Sequence, residues 1–502
     1  MTEPSPPPTP SLVLRVAFAA LSLVLAGCKV GPNFTPPPPP QVTGYAQAKP
    51  SATAATAGVA SGVAQRFEPG QDIPGDWWTL FHSQPLDALV EQALKNNHDL
   101  LAAQAALRVA HEDVLAQHGS VYPSVSAGFG ASRQRASTAL APVPNFPTVT
   151  QEFSYSLFTP QVAISYAPDL FGLNRRTRES LQAQEQAARF QMIAVWTTLT
   201  SNVVVTAVEA ASLRDQIEAT RKLEEIEKQS LAMVRLRLQK GDATELDVAA
   251  QQTQLAQTEA TLPPLVKQLA VTRHALAALV GDFPDQLPAE GFTLAGLHLP
   301  ANLPLSLPSK LVAQRPDVRQ ARANLHAASA AIGIAAAARL PNIELDANAG
   351  STALAISQVF TSGTGFWGIA ASLTAPIFEG GALRHQELAA KDAYVGAAQQ
   401  YRSTVLLAFE NVADTLTALE QDAKSLQDAA SAAQAAQTTL KLSQLQMRHG
   451  YISEFALLSA QQAYQQTQIA LVQAQANRFA DTAALYQALG GGWWHHESLA
   501  KK

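Results

Sequence analysis

Landmarks recur at a near-constant spacing along this chain, and that recurrence limits its possible folds more than any other feature. Asp99 and Pro123 reappear as Asp317 and Pro341, each 218 residues later. Gly172 matches Gly380 at an offset of 208, and Gly241 and Gly281 match Gly450 and Gly490 at 209, so the first copy holds about ten extra residues in a loop. Solenoid units run about 20–50 residues. A period this long therefore means two copies of a half-structure. The proline-rich stretch 283–308 between the copies reads as a surface linker.

Each copy contains one very long helical stretch. Residues 175–240 and 384–449 are rich in alanine, glutamine, leucine and charged residues and hold no proline, which favours helix throughout. At 1.5 Å per residue each reaches about 100 Å. Shorter helices are predicted over 86–120 and 244–280 in the first copy and over 310–340 and 453–489 in the second. Two short helices laid end to end reach about 105 Å, so rods of equal length are expected, like staves of one cylinder. Pro263-Pro264 is expected to kink the first copy's returning helix or break its hydrogen-bond ladder locally, whereas Ile469-Ala470 stands near that place in the second.

Between helices the apolar period changes from 3.6 to 2. Ile343, Leu345, Ala347 and Ala349 alternate with Glu344, Asp346 and Asn348, and Val125, Ala127 and Phe129 alternate with Ser124, Ser126 and Gly128. Return strands are predicted over 161–166 and 367–375. Four segments of this kind suit a transmembrane barrel with a polar lumen face. Four strands cannot close a barrel, and open edges are not tolerated in lipid, so several copies of the chain must share one. Eight strands from two copies and twelve from three both satisfy that requirement.

The N-terminus supports an envelope location. Residues 12–26 have the length of a secretory apolar region and are too short to span a bilayer, which needs about 20 apolar residues. They end in Leu25-Ala26-Gly27-Cys28, and Cys28 is the single cysteine of 502 residues, so neither an internal disulfide nor a thiolate metal site explains it. The stretch resembles a bacterial lipobox, in which the cysteine becomes an acylated N-terminus. Lys29 replaces the aspartate that favours inner-membrane retention. Residues 28–75, rich in Pro, Ala, Ser and Thr, are expected to form a surface arm. With 47% hydrophobic and 15% charged residues, the chain matches neither a disordered protein nor a helical membrane protein, and no mature segment is expected to span as a helix. The formal charge of −5 offers no basic footprint for nucleic acid.

Specific motifs then carry a resemblance. Asp76-Trp77-Trp78-Thr79-Leu80-Phe81 with Pro85-Leu86-Asp87-Ala88-Leu89-Val90, Gln314-Arg315-Pro316-Asp317-Val318, and Asp169-Leu170-Phe171-Gly172 resemble the TolC-like outer-membrane efflux proteins, in particular their NodT-like lipoprotein branch. The resemblance implies a mainly α fold with a transmembrane β-barrel. A homotrimer would build a 12-stranded β-barrel continuous with a 12-rod periplasmic α-barrel. It implies passive conduction of small molecules such as drugs, toxic compounds or metals. Energy would come from an inner-membrane pump of the resistance-nodulation-division (RND) type, through a periplasmic adaptor. The expected organisation is a signal peptide (1–27), a lipidated arm (28–75) in outer-membrane lipid, a first repeat (76–282), the linker (283–308), a second repeat (309–490) and a C-terminal tail (491–502).

The same resemblance assigns candidate sites. The turns at Gly241 and Gly450 would meet the adaptor, and their glycines also suit left-handed helix caps. In the family an acid commonly stands nine residues after the second glycine and forms a negative ring at the gate; here Ser459 occupies that place and Ala456 precedes it. Asp247 is the remaining acidic gate candidate, and it equally suits a helix N-terminus. No cofactor is expected. His111-Glu112 and His118 lack the spacing of a zinc protease, His495-His496 reads as a solvated pair, and Gly490-Gly491-Gly492 marks a helix end. A periplasmic adaptor would carry one helical hairpin rather than two repeats. A port for type I protein secretion would share the fold and differ in its pump.

Overall fold

The structure is a computed structural model that describes residues 30–42, 44–45, 51–59, 61–136, 153–286, 293–496 and 499. Cys28 and the expected signal peptide lie outside them. The chain divides into two compact units. One comprises residues up to 36 with 108–186 and 323–399, and the other comprises 37–107, 187–322 and 400–502.

The first unit is organised on a four-stranded antiparallel sheet in the order β2-β3-β5-β6, formed by Ser124–Ala136, Phe153–Tyr166, Asn342–Ser351 and Gly365–Thr374. Each copy supplies one hairpin. The register carries Val125 opposite Ile164, Ile164 opposite Ala347 and Ala347 opposite Ile369. One row further along, Ala127, Val162, Ala349 and Trp367 are partners. A continuous apolar face follows from the period-2 pattern, and Val125, Phe129, Ile369 and Trp367 on it are exposed. The opposite face carries Ser124, Ser165 and Asp346 in one row, with the Ser165 hydroxyl donating to Glu344 Oε1 at 2.9 Å. Apolar side chains left bare on such a face need a non-aqueous neighbour. Among the described residues, the outer edges of β2 and β6 have no strand partner.

The turn from β3 into the long helix is built by Asp169-Leu170-Phe171-Gly172. Asp169 accepts from Asn174 N–H (3.1 Å) and Arg175 N–H (2.9 Å), satisfying first-turn donors, while Gly172 takes φ 84°.

The helices are α1 (Gln84–Asn96), α2 (His98–Gly119), α3 (Leu173–Lys240), α4 (Glu245–Val280), α5 (Pro308–Gln314), α6 (Pro316–Ala337), α7 (Ala382–Arg448) and α8 (Glu454–Ala488). The expected helix 86–120 is therefore two. Asn97 separates them with ψ 122°, its side chain accepting from Leu100 N–H at 3.0 Å and donating to Leu279 O at 3.0 Å. In the second copy the break falls at Arg315, where the following proline disfavours helical geometry. Helix α3 has 68 residues and α7 has 67, both unbroken.

In the second unit every seventh residue of α7 from Val405 through Val412, Leu419, Leu426 and Ala433 to Leu440 is buried, the spacing of a coiled-coil seam. The Trp77-Trp78-Thr79-Leu80-Phe81 stretch forms an aromatic core: Trp77 stacks on Tyr486 at 5.1 Å, Trp78 meets Trp196 at 5.8 Å and Phe81 meets Phe479 at 6.1 Å. Arg315 donates to Ala488 O at 2.7 Å, satisfying a carbonyl at the end of α8.

Three expectations need correction, and the prolines act as a local interruption only: α4 runs on through Pro263-Pro264 while its hydrogen-bond ladder is broken there. The prolines, and Glu259 and Ala260 whose carbonyls lose their donors, all lie on the exposed face, where water can serve instead. Helix α3 does contain an 18-residue window apolar enough to span a membrane, but 61% of it is buried in the protein, with Ile193, Trp196, Val203 and Val204 in the core. The arm and linker are not merely superficial, because β1 (Arg66–Pro69) pairs in parallel with β4 (Asn302–Leu305) and Gln65 is fully buried. The tail also packs: Trp493 is buried and donates to Gln314 O at 2.7 Å, and His495 meets Asp72 at 2.8 Å.

Candidate functional site

Both candidate adaptor-contact turns close in the same way. Gly241 has φ 82°, its N–H bonds Leu238 O, and Asp242 N–H bonds Arg237 O at 2.9 Å. Gly450 has φ 76°, with Tyr451 N–H on Gln446 O at 2.9 Å. This pattern satisfies the last carbonyls of each long helix and needs a left-handed residue. A Cβ at either glycine would meet nothing within 4 Å. Side-chain bulk is thus sterically free within the protomer, and only backbone strain opposes it.

The next helices begin differently. Thr244 and Asp247 form a reciprocal capping box: Thr244 N–H donates to Asp247 Oδ2 at 2.8 Å, and Asp247 N–H donates to Thr244 Oγ1 at 3.2 Å. These bonds hold the Asp247 carboxyl below the usual aspartate range. At the second turn Ser453 Oγ accepts from Ala456 N–H at a longer 3.4 Å, and no acid closes the box. Ser459 is exposed, and its hydroxyl donates to Phe455 O one turn back. Asp247 and Ser459 are therefore each satisfied within their own helix.

Two acidic residues escaped the sequence reading. Glu454, at the start of α8, is buried, and neither carboxylate oxygen has a hydrogen-bond partner among the described residues. Burial raises its pKa, the Arg237 charge opposes the shift and Asp247 adds to it. Glu227 of α3 is fully buried and accepts from Thr258 Oγ1 (3.0 Å) and Gln254 Nε2 (3.2 Å) on α4. Burial raises this carboxyl too, and the two donors offset part of the shift. Beside it Gln251 donates to Gln461 at 3.3 Å, and Gln461 donates to Ser230 at 3.1 Å, linking α4, α8 and α3. The duplication pairs Glu454 with Glu245, each four residues after its glycine, but Glu245 is exposed, so the repeat does not reveal the burial of Glu454. Nothing in the sequence marks Glu227 as buried.

The family model described as outer membrane efflux protein matches residues 89–282 and 307–491. The pyoverdine export outer membrane protein OpmQ of Pseudomonas putida is 31% identical over 417 residues, 83% of this chain and 88% of the relative. The toluene efflux pump outer membrane protein TtgC of Pseudomonas putida is 28% identical, with 97% of both chains covered. The probable outer membrane lipoprotein SilC of Salmonella typhimurium is 27% identical over 96% of this chain and 99% of its own. Among solved structures, the outer-membrane channel OprN superposes with a TM-score of 0.81 at 25% identity, covering 93% of this chain and 100% of that one. The Campylobacter jejuni CmeC outer membrane channel gives 0.82 at 21% identity, covering 94% and 97%, and supports the fold alone.

Proposed function

The chain belongs to the outer membrane efflux protein family, and from that premise we propose that it is the outer-membrane channel of a tripartite efflux system. In this reading it works with a periplasmic adaptor and an inner-membrane RND-type pump, and conducts small molecules passively. The observation that carries it is the sheet. Its four strands present a continuous apolar face to one side, a polar face to the other, and two open edges that a neighbouring copy would close. Three copies give twelve strands, the assembly implied by the family. The named relatives act in pyoverdine export and toluene efflux, which favours small-molecule efflux over protein secretion.

No chemistry is assigned to the chain. It supplies a path, and the pump supplies the energy. Acylation of Cys28 is part of the proposal, supported by the lipobox and by the relative described as a lipoprotein. The Gly241 and Gly450 turns are assigned to adaptor contact, and Ser459 with Asp247 to the gate. Removing the chain from cells that keep the adaptor and pump should abolish resistance to their substrates, and restoring it should return resistance. Unchanged efflux in the deletion strain, with no second outer-membrane channel expressed, would overturn the proposal.

A further inference from the structure

Arg176 is fully buried near the start of α3, yet most of its hydrogen bonding serves the chain's own N-terminal segment. Its Nε donates to Val30 O at 2.9 Å, and Nη2 donates to Gly31 O at 2.8 Å and Asn33 Oδ1 at 3.2 Å. Glu179 holds the guanidinium from the other side at 2.8 Å and also meets His326 at 3.1 Å, and His326 stacks on Phe34 at 4.4 Å. Two glycines let the segment approach: a Cβ on Gly31 would stand 2.5 Å from Gly333 Cα, and one on Gly333 would stand 2.7 Å from Arg176 Nε. Val30 N–H also bonds Phe171 O at 3.3 Å, in the turn that joins sheet to helix.

Burying a guanidinium carries a desolvation cost, and here the offsetting hydrogen bonds go mostly to the N-terminal segment, which is thereby fixed. We propose that Arg176 is the positioning residue of the lipid anchor: it docks residues 30–34 at the turn that joins sheet to helix, so that a lipid on Cys28 would tether that turn to the membrane. Cys28 precedes Val30 by two residues and so cannot lie more than about 7 Å of chain away. The tether is short enough that lipid insertion places the apolar sheet face at the same membrane surface, raising its effective concentration there. This rests on the acylation of Cys28 proposed above.

Because Cys28 is the only cysteine, an acylated chain carries no free thiol, and Thr35→Cys provides a single site for a nitroxide. The label should be restricted in the otherwise unmodified protein. It should become mobile in Arg176→Ala and in Gly31→Ala, which leaves Arg176 itself intact. A ten-residue Gly-Ser spacer between Lys29 and Val30 should leave the label restricted and Cys28 acylated, but slow outer-membrane assembly at least threefold. A label that stays restricted in both substitutions, or a spacer variant that assembles at the parental rate, would overturn the role of Arg176. Nitroxide attachment to the chain lacking Thr35→Cys would instead reveal a free Cys28 thiol, overturning acylation and this proposal together.

Discussion

The two copies share a backbone plan, but their helix pairs near the turns are filled with opposite chemistry. In the first copy Glu227, Gln251, Gln254 and Thr258 form a buried polar layer. The residues 209 positions later are Ala436, Ala460, Ala463 and Thr467, and nearby Leu440, Leu457 and Ala460 make an apolar cluster with Met447, Ile452 and Tyr464. The turns diverge in step, because Thr244 and Asp247 correspond to Ser453 and Ala456. A buried apolar seam is stable without conditions. A buried polar layer depends on every donor finding its acceptor, so each partner lost within it is costly. The duplication thus kept a glycine at the end of each long helix while the side chains packed behind the two turns diverged.

The largest effect should come from forcing the second copy to resemble the first. Ala436→Glu would place a carboxylate at a buried apolar position without the donors that serve Glu227, and should destabilise the protein by about 3–5 kcal/mol. Thermal unfolding checks this, and a loss below about 1 kcal/mol would show that the seam tolerates charge. Gly450→Trp comes next. Space is open inside the protomer, so the stability cost is limited to left-handed strain of about 1–2 kcal/mol, while efflux with the cognate pump should fall tenfold or more. Full resistance from a stably assembled variant would remove the docking role of that turn.

Glu227→Gln should sharpen the contrast through pH. A carboxyl whose folded pKa is raised contributes stability while protonated and loses it as pH rises through that value. The parent should therefore gain stability from this group as the pH falls through its raised value toward the ordinary glutamate range, and the glutamine variant should not. A pH–stability profile unchanged by the substitution would show that the carboxyl is not perturbed. Asp247 has the opposite sign, its depressed pKa giving stability that is lost on acidification. The smallest difference is between the caps: Thr244→Ala removes a reciprocal box and should cost about 1 kcal/mol, against about 0.5 for Ser453→Ala with its longer bond. Equal losses in melting experiments would erase the asymmetry.

Much of this was legible because it depends on local pattern. Period-2 alternation placed the four strands, proline-free composition placed α3 and α7, and matched glycines located both turns. Pairing of β1 with β4 was not legible, because four-residue parallel strands 236 residues apart carry no alternation of their own. The break at Asn97 depends on its bond to Leu279 O, a contact made only once α4 returns. Burial of Glu227 and Glu454 likewise depends on which helices pack together, and a charged residue reads as solvent-facing until that partner is known. Ser459, where the resemblance implies an acid, is a single-residue feature that no local pattern marks.

We propose that Ser459 makes the gate differ from the family pattern, and reversal potentials across planar bilayers under a salt gradient test this most directly. The unmodified channel should be only weakly cation-selective. Ser459→Asp should increase selectivity by more than Asp247→Asn reduces it, because three carboxylates at a narrow aperture attract cations, whereas the Asp247 carboxylate is engaged by Thr244. Strong cation selectivity in the unmodified channel, unchanged by Ser459→Asp, would contradict this and place the selectivity ring elsewhere.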